Sequence, residues 1–122
     1  MEENPVSPEH KRTFCHIDDA VALLKALVTT PAASGETFNL GAPGPEVEMA
    51  ELARLIIATV GKPLRLEPGS TSPGSPTRRC ADMSKASEFT GVTAKVTLEE
   101  GLRHTWKWYR DNVFSGKMKS AS

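Results

Sequence analysis

The residues with the clearest capacity for chemistry in this 122-residue chain are arginines. Arg12 stands just before a short extended run, and Arg78-Arg79 follows a Pro/Gly-rich loop. Both are positions where a side chain can project from a rigid element into a cleft. A guanidinium stays charged and presents a planar fork of donors, so two of them from distant segments suit a diphosphate. The same residues are equally intelligible as solvated surface charge, and the spacing alone leaves both readings open.

Other chemistries find less support. Tyr109 is the only tyrosine and the residue four positions on is Val113, so no Tyr-x-x-x-Lys proton-transfer pair is encoded. His10, His16 and His104 share no metal-ligand spacing and read as structural histidines. Cys15 and Cys80 are too few for a disulfide framework and too far apart in sequence for a zinc site, so they read as reduced thiols. The loop Gly41-Ala42-Pro43-Gly44-Pro45-Glu46-Val47 invites comparison with a dinucleotide cradle. Such a cradle works through free backbone N–H groups, and Pro43 and Pro45 each remove one, so a connecting loop is the better reading.

Several elements must position the arginines. Residues 12–17 read as a short extended segment, and Asp18-Asp19 offers an N-cap for a helix over residues 20–28 with Ala20, Leu23, Leu24, Leu27 and Val28 on one stripe. Pro31 and Gly35 end it. Thr37-Phe38-Asn39-Leu40 reads as a buried strand and Leu64 to Glu67 as an edge strand. A helix over residues 49–60 is stopped by Gly61, and a short one over residues 84–89 is closed by Gly91. Thr97-Leu98-Glu99-Glu100 is a capping box, opening a helix with Leu98, Leu102, Trp106, Tyr109 and Val113 on its apolar face and an end near Gly116. Tyr109 is thereby expected in the core, while Trp108 falls off the stripe and faces solvent. Alternating strands and helices favour an α/β layer structure, a small partial sheet with about four helices.

Composition sets bounds. With 15 basic and 15 acidic residues the chain has no net field to gather nucleic acid or an anionic membrane. No apolar run approaches the roughly 20 residues of a membrane span, and the start Met1-Glu2-Glu3-Asn4-Pro5 lacks the basic-then-apolar pattern of a signal peptide. A soluble, cytoplasmic protein is the expectation. The length suits one domain over residues 12–116, flanked by a disordered or extended segment at 1–11 and a disordered tail at 117–122.

Four segments in order carry a family resemblance: Arg12-Thr13-Phe14-Cys15-His16-Ile17-Asp18-Asp19, Gly35-Glu36-Thr37-Phe38-Asn39-Leu40-Gly41, Arg79-Cys80-Ala81-Asp82-Met83-Ser84-Lys85-Ala86, and Val96-Thr97-Leu98-Glu99-Glu100-Gly101-Leu102. Together they resemble the C-terminal half of the NAD-dependent epimerase/dehydratase family, the extended short-chain dehydrogenases acting on nucleotide sugars. The resemblance implies a C-terminal lobe without the Rossmann domain, and hence no cofactor on this chain, NAD(P) being expected on the missing half. Arg12 matches the arginine ahead of the family's Phe-x-His-Val motif, which approaches the substrate phosphates, and Arg79 matches an arginine lining the same pocket. Asp19 matches the motif's acidic residue, for which helix capping is a sufficient reason. Two departures stand out: the family's Arg-Pro-Gly-Asp is here Ser72-Pro73-Gly74-Ser75, and its Leu-Gly-Trp is Phe89-Thr90-Gly91-Val92.

The implied partners are a nucleotide sugar, bound weakly or no longer, a Rossmann-domain partner, and a second copy of the chain, with no nucleic acid and no membrane. Neither catalytic residues nor metal ligands are identified, and no activity is expected from the chain alone. The competing expectation is a non-catalytic remnant serving as a dimerisation or protein-interaction module, with Trp106, Trp108 and Tyr109 of the last helix as the expected contact.

Overall fold

A computed structural model describes residues 8–70 and 73–115. Three two-residue strands form one sheet: β1 (Lys11–Arg12), β2 (Val47–Glu48) and β3 (Arg78–Arg79), in the order β2-β1-β3. β1 pairs antiparallel with β2, setting Arg12 opposite Val47, and parallel with β3, setting Arg12 opposite Arg79. Four helices accompany it: α1 (Ile17–Thr29), α2 (Met49–Val60), α3 (Ser84–Thr90) and α4 (Leu98–Tyr109). α1 packs on α3, and α2 packs on α4. The α/β class, the partial sheet and the helix number expected from sequence are all present.

Local chemistry accounts for most helix ends. α2 and α3 stop at Gly61 and Gly91, whose φ values of 70° and 67° lie in the left-handed region that a side chain disfavours. The capping box of α4 is complete: Thr97 Oγ1 accepts from the Glu100 N–H at 3.2 Å, and the Glu100 carboxylate accepts from the Thr97 N–H at 3.1 Å. Beyond Tyr109 the chain continues through a π-helical turn at Arg110–Phe114, so the expected end at Gly116 lies outside the described residues. The expected disorder of residues 1–7 and 117–122 lies outside them too. Residues 8–11 run beside the start of α2, with Pro8 and His10 carbonyls accepting from the Ala50 and Met49 N–H groups.

Four expectations are corrected. α1 is capped by His16 rather than by Asp18-Asp19: the His16 Nδ1 accepts from the Asp18 N–H at 3.2 Å, and the two aspartates occupy the first turn. Residues 37–40 form no strand: no ladder hydrogen bonds pair them with another segment among the described residues. Side chains hold them instead, Lys85 Nζ donating to the Thr37 carbonyl and Asn39 Nδ2 to the Asp82 carbonyl, each at 3.0 Å. Residues 64–67 likewise find no ladder, and Leu64 and Leu66 are exposed. Strand β2 forms inside what reads as a connecting loop, since Val47 is buried against β1.

The core is thin. Among the described residues Leu23, Ala33, Ala42, Val47, Leu52 and Ala86 form the buried apolar set, four of them no larger than valine, and no large side chain is fully enclosed. Within α1 the expected stripe divides: Leu23 is buried, whereas Leu24 and Val28 are exposed. Tyr109, expected in the core, is 46% exposed. Trp108, 52% exposed, faces solvent as its register requires.

Candidate functional site

Register brings the two candidate arginines together. Partners across a ladder project to the same face, so pairing Arg12 with Arg79 sets two side chains 67 positions apart in sequence beside one another. Both line a cavity of about 590 Å³ together with Thr13, Cys15, Gly41 and Cys80. The two are held differently. The Arg12 guanidinium donates to the Lys11 carbonyl at 2.7 Å and to the Pro76 carbonyl at 2.8 Å, which ties β1 to the loop entering β3. Arg79 is exposed and makes no ion pair with another described residue. Arg78 is occupied in structure: its Nε and Nη2 grip both oxygens of Glu46 at 2.6 and 2.7 Å, and this hydrogen bonding holds the Glu46 carboxyl below its ordinary range.

A second cavity of about 470 Å³ adjoins the first through Gly41 and Ala81 and is lined by Asp19, Leu23, Asp82, Ser84, Ser87 and Thr93. Sequence reasoning did not pick out this polar group, whose only advance signal is the Asp82-Met83-Ser84 string. Ser84 donates to Asp82 Oδ1 through its hydroxyl at 2.6 Å and through its N–H at 3.0 Å, and these bonds depress the Asp82 carboxyl. Between the cavities the chain passes closely: a Cβ added to Gly41 would stand 3.4 Å from the Ala81 Cβ.

Asp19 does something other than capping. Its Oδ2 accepts from the Lys95 N–H at 3.0 Å and the Val96 N–H at 2.9 Å, so it clamps the segment entering α4 onto α1. One carboxylate thereby shapes a wall of the second cavity. Cys15 lines the first cavity, but burial, followed by the nearby Asp19 charge, pushes its thiol up and away from thiolate chemistry. His16 and His104 meet edge to face at 5.7 Å, and no cluster of three or more metal-ligating side chains occurs among the described residues.

The Gly41–Val47 loop does not fit a dinucleotide. Pro43 and Pro45 lack N–H groups, and the helix that follows begins at Met49 with Glu48 at its N-cap position and Glu51 in its first turn, carboxylates where a pyrophosphate would need positive potential. The arginine cavity offers the opposite sign, with fixed cationic donors for an anion.

Comparison with known proteins gives this geometry its relatives. No family model matches the chain. A probable GDP-L-fucose synthase from Oryza sativa subsp. japonica is 39% identical over 106 residues, covering 87% of this chain and 31% of that protein. A UDP-glucuronic acid decarboxylase from Arabidopsis thaliana is 33% identical over 114 residues, covering 91% of this chain and 24% of that protein. Among solved structures, an epimerase from Methanothermobacter thermautotrophicus superimposes with a TM-score of 0.84 at 26% identity, over 95% of this chain and 35% of its own. The chain therefore spans about a third or less of the length of the relatives it matches. It belongs, as a counterpart of their C-terminal portion, to the NAD-dependent epimerase/dehydratase family.

Proposed function

We propose that this chain is the sugar-nucleotide-binding lobe of an NAD(P)-dependent epimerase or dehydratase, with Arg12 and Arg79 gripping the diphosphate. It turns over no sugar nucleotide unless a dinucleotide-binding half is supplied. The observation that carries the reading is the pairing of Arg12 with Arg79 across β1 and β3, at the mouth of one cavity. UDP- and GDP-linked sugars are the substrate class to try, because relatives covering most of this chain carry those names.

Titration calorimetry with UDP and GDP, on the wild type and on Arg79→Ala, tests the grip. Binding that weakens with Arg79→Ala and with added salt supports it. Equal affinity in the two proteins removes Arg79 from the site. Turnover of a UDP- or GDP-sugar with added NAD by the chain alone overturns the dependence on a second half.

A non-catalytic interaction module is the competing reading. The exposed apolar residues of α1 and α4 favour it, and wild-type protein that binds neither nucleotide would select it.

A further inference from the structure

Lys85, in the first turn of α3, lines neither of the two adjoining cavities, yet one ammonium makes all of the following contacts. Its Nζ donates to Glu36 Oε2 at 2.6 Å and to the Thr37 carbonyl at 3.0 Å. It also stands 4.8 Å from the centroid of the Phe38 ring and 5.9 Å from that of Phe89, one helical turn further along α3. The two rings meet edge to face at 5.1 Å, so the cation rests in an aromatic corner. An exposed ion pair alone contributes little. Here a carboxylate, a carbonyl and two rings share one ammonium, and every partner but Phe89 lies in residues 36–38.

That stretch has no sheet to hold it. Residues 37–40 join no ladder among the described residues, and a second side-chain tie comes from Asn39, whose Nδ2 donates to the Asp82 carbonyl at 3.0 Å. Immediately beyond, Leu40 and Gly41 line the arginine cavity, and Gly41 lines the adjoining one as well. A Cβ added to Gly41 would stand 3.4 Å from the Ala81 Cβ, so the wall between the cavities is chain lying directly on chain. Arg12 and Arg79 are placed by backbone pairing, whereas the wall beside them depends on side chains.

We infer that Lys85 is a positioning residue for the arginine cavity, holding residues 36–38 on α3 and thereby fixing the wall formed by Leu40 and Gly41. The inference rests on the reading of that cavity as a diphosphate site. A wall displaced by about an ångström changes how a ligand meets a fixed cation. Lys85 is itself a cation, and a nearby cation attracts an anion without positioning anything. Glu36 separates the two roles. Neutralising it removes a negative charge, which by field alone favours an anionic ligand, and removes a partner of Lys85, which by positioning disfavours it.

The test is titration calorimetry with UDP and GDP on the full chain, with circular dichroism to verify folding and nuclear Overhauser spectra to follow the contact between Gly41 and the Ala81 methyl. Lys85→Met, which keeps the apolar stem, should raise the dissociation constant about fivefold, and Lys85→Arg should stay within about twofold of the wild type. Glu36→Gln should weaken binding about twofold. The Gly41–Ala81 contact should weaken in Lys85→Met and persist in Lys85→Arg. Glu36→Gln that binds more tightly while Lys85→Met binds more weakly overturns the proposal, because Lys85 then acts through its charge alone. A Gly41–Ala81 contact unchanged in Lys85→Met overturns it equally. Wild type that binds neither nucleotide overturns the diphosphate reading instead, and the Gly41–Ala81 contact still decides whether Lys85 holds the wall.

Discussion

The arginine cavity and the outer face of α1 are built on opposite terms. Around this cavity and the one adjoining it most polar groups are occupied: Arg12 on two carbonyls, Arg78 on Glu46, and in the second cavity Asp82 on Ser84 and Asp19 on two backbone N–H groups. Arg79 stands apart, exposed and without an ion pair among the described residues. On α1 the geometry is regular, yet its apolar side chains meet water. A site whose framework is satisfied can wait for a ligand indefinitely. An apolar face loses free energy for as long as it remains bare. On the proposed reading the first region serves a small anion, whereas the second is a face that only a large surface could cover.

The sharpest way to break this contrast uses two neighbours on one helix. Leu23→Ala should destabilise the fold by about 3 kcal/mol, since Leu23 is 5% exposed and its truncation leaves a cavity in a thin core. Leu24→Ala should cost less than about 0.5 kcal/mol in the monomer. Denaturant unfolding of dilute protein measures both, and equal costs would mean that α1 buries both faces within a single copy.

Next in size is the proposed nucleotide grip. Arg79→Ala should weaken UDP or GDP binding about tenfold, the loss of one charge-assisted contact, and calorimetry reads it. Arg78→Ala should weaken binding less, because that side chain is committed to Glu46.

A smaller effect concerns the segment that Asp19 clamps. Thr97→Ala should cost about 1 kcal/mol by removing the N-cap of α4, seen as a lower midpoint in thermal unfolding. The effect should leave Arg79-dependent binding intact, because α4 lies outside the arginine cavity.

The smallest is a pH effect. Glu46 has a lowered pKa in the folded state, chiefly from hydrogen bonding to Arg78. A carboxyl depressed by folding contributes stability that is fully present above its unfolded-state value and lost as pH falls through the folded-state value. An acid unfolding series should show that loss below the ordinary glutamate range, and Glu46→Gln should flatten it. No flattening would mean that Asp82, Glu100 and Asp111, lowered in the same direction, carry the acid sensitivity.

What was legible in the sequence is what local chemistry decides. Thr97 and Glu100 announce α4, and Gly61 and Gly91 mark the ends of α2 and α3, because capping and left-handed turns need only neighbouring residues. Strands two residues long leave no alternation to read, so β2 passed for loop. Residues 37–40 have a strand's composition but no ladder among the described residues to realise it. Arg12 and Arg79 could be suspected singly, but their adjacency is a property of register, which no local pattern encodes. The clamp by Asp19 eluded sequence reasoning because its partners are backbone N–H groups 76 and 77 positions away, which any residue could supply.

The parallel pairing of β1 with β3 has a genetic consequence. A recombination breakpoint anywhere between positions 12 and 79 parts the two arginines, and it also parts β1 from the strand beside which it lies. Shuffling can thus carry this segment whole into a new gene, but halving it yields two pieces that each keep a charge and lose the geometry. The smallest piece that keeps the two arginines side by side therefore runs from position 12 to position 79.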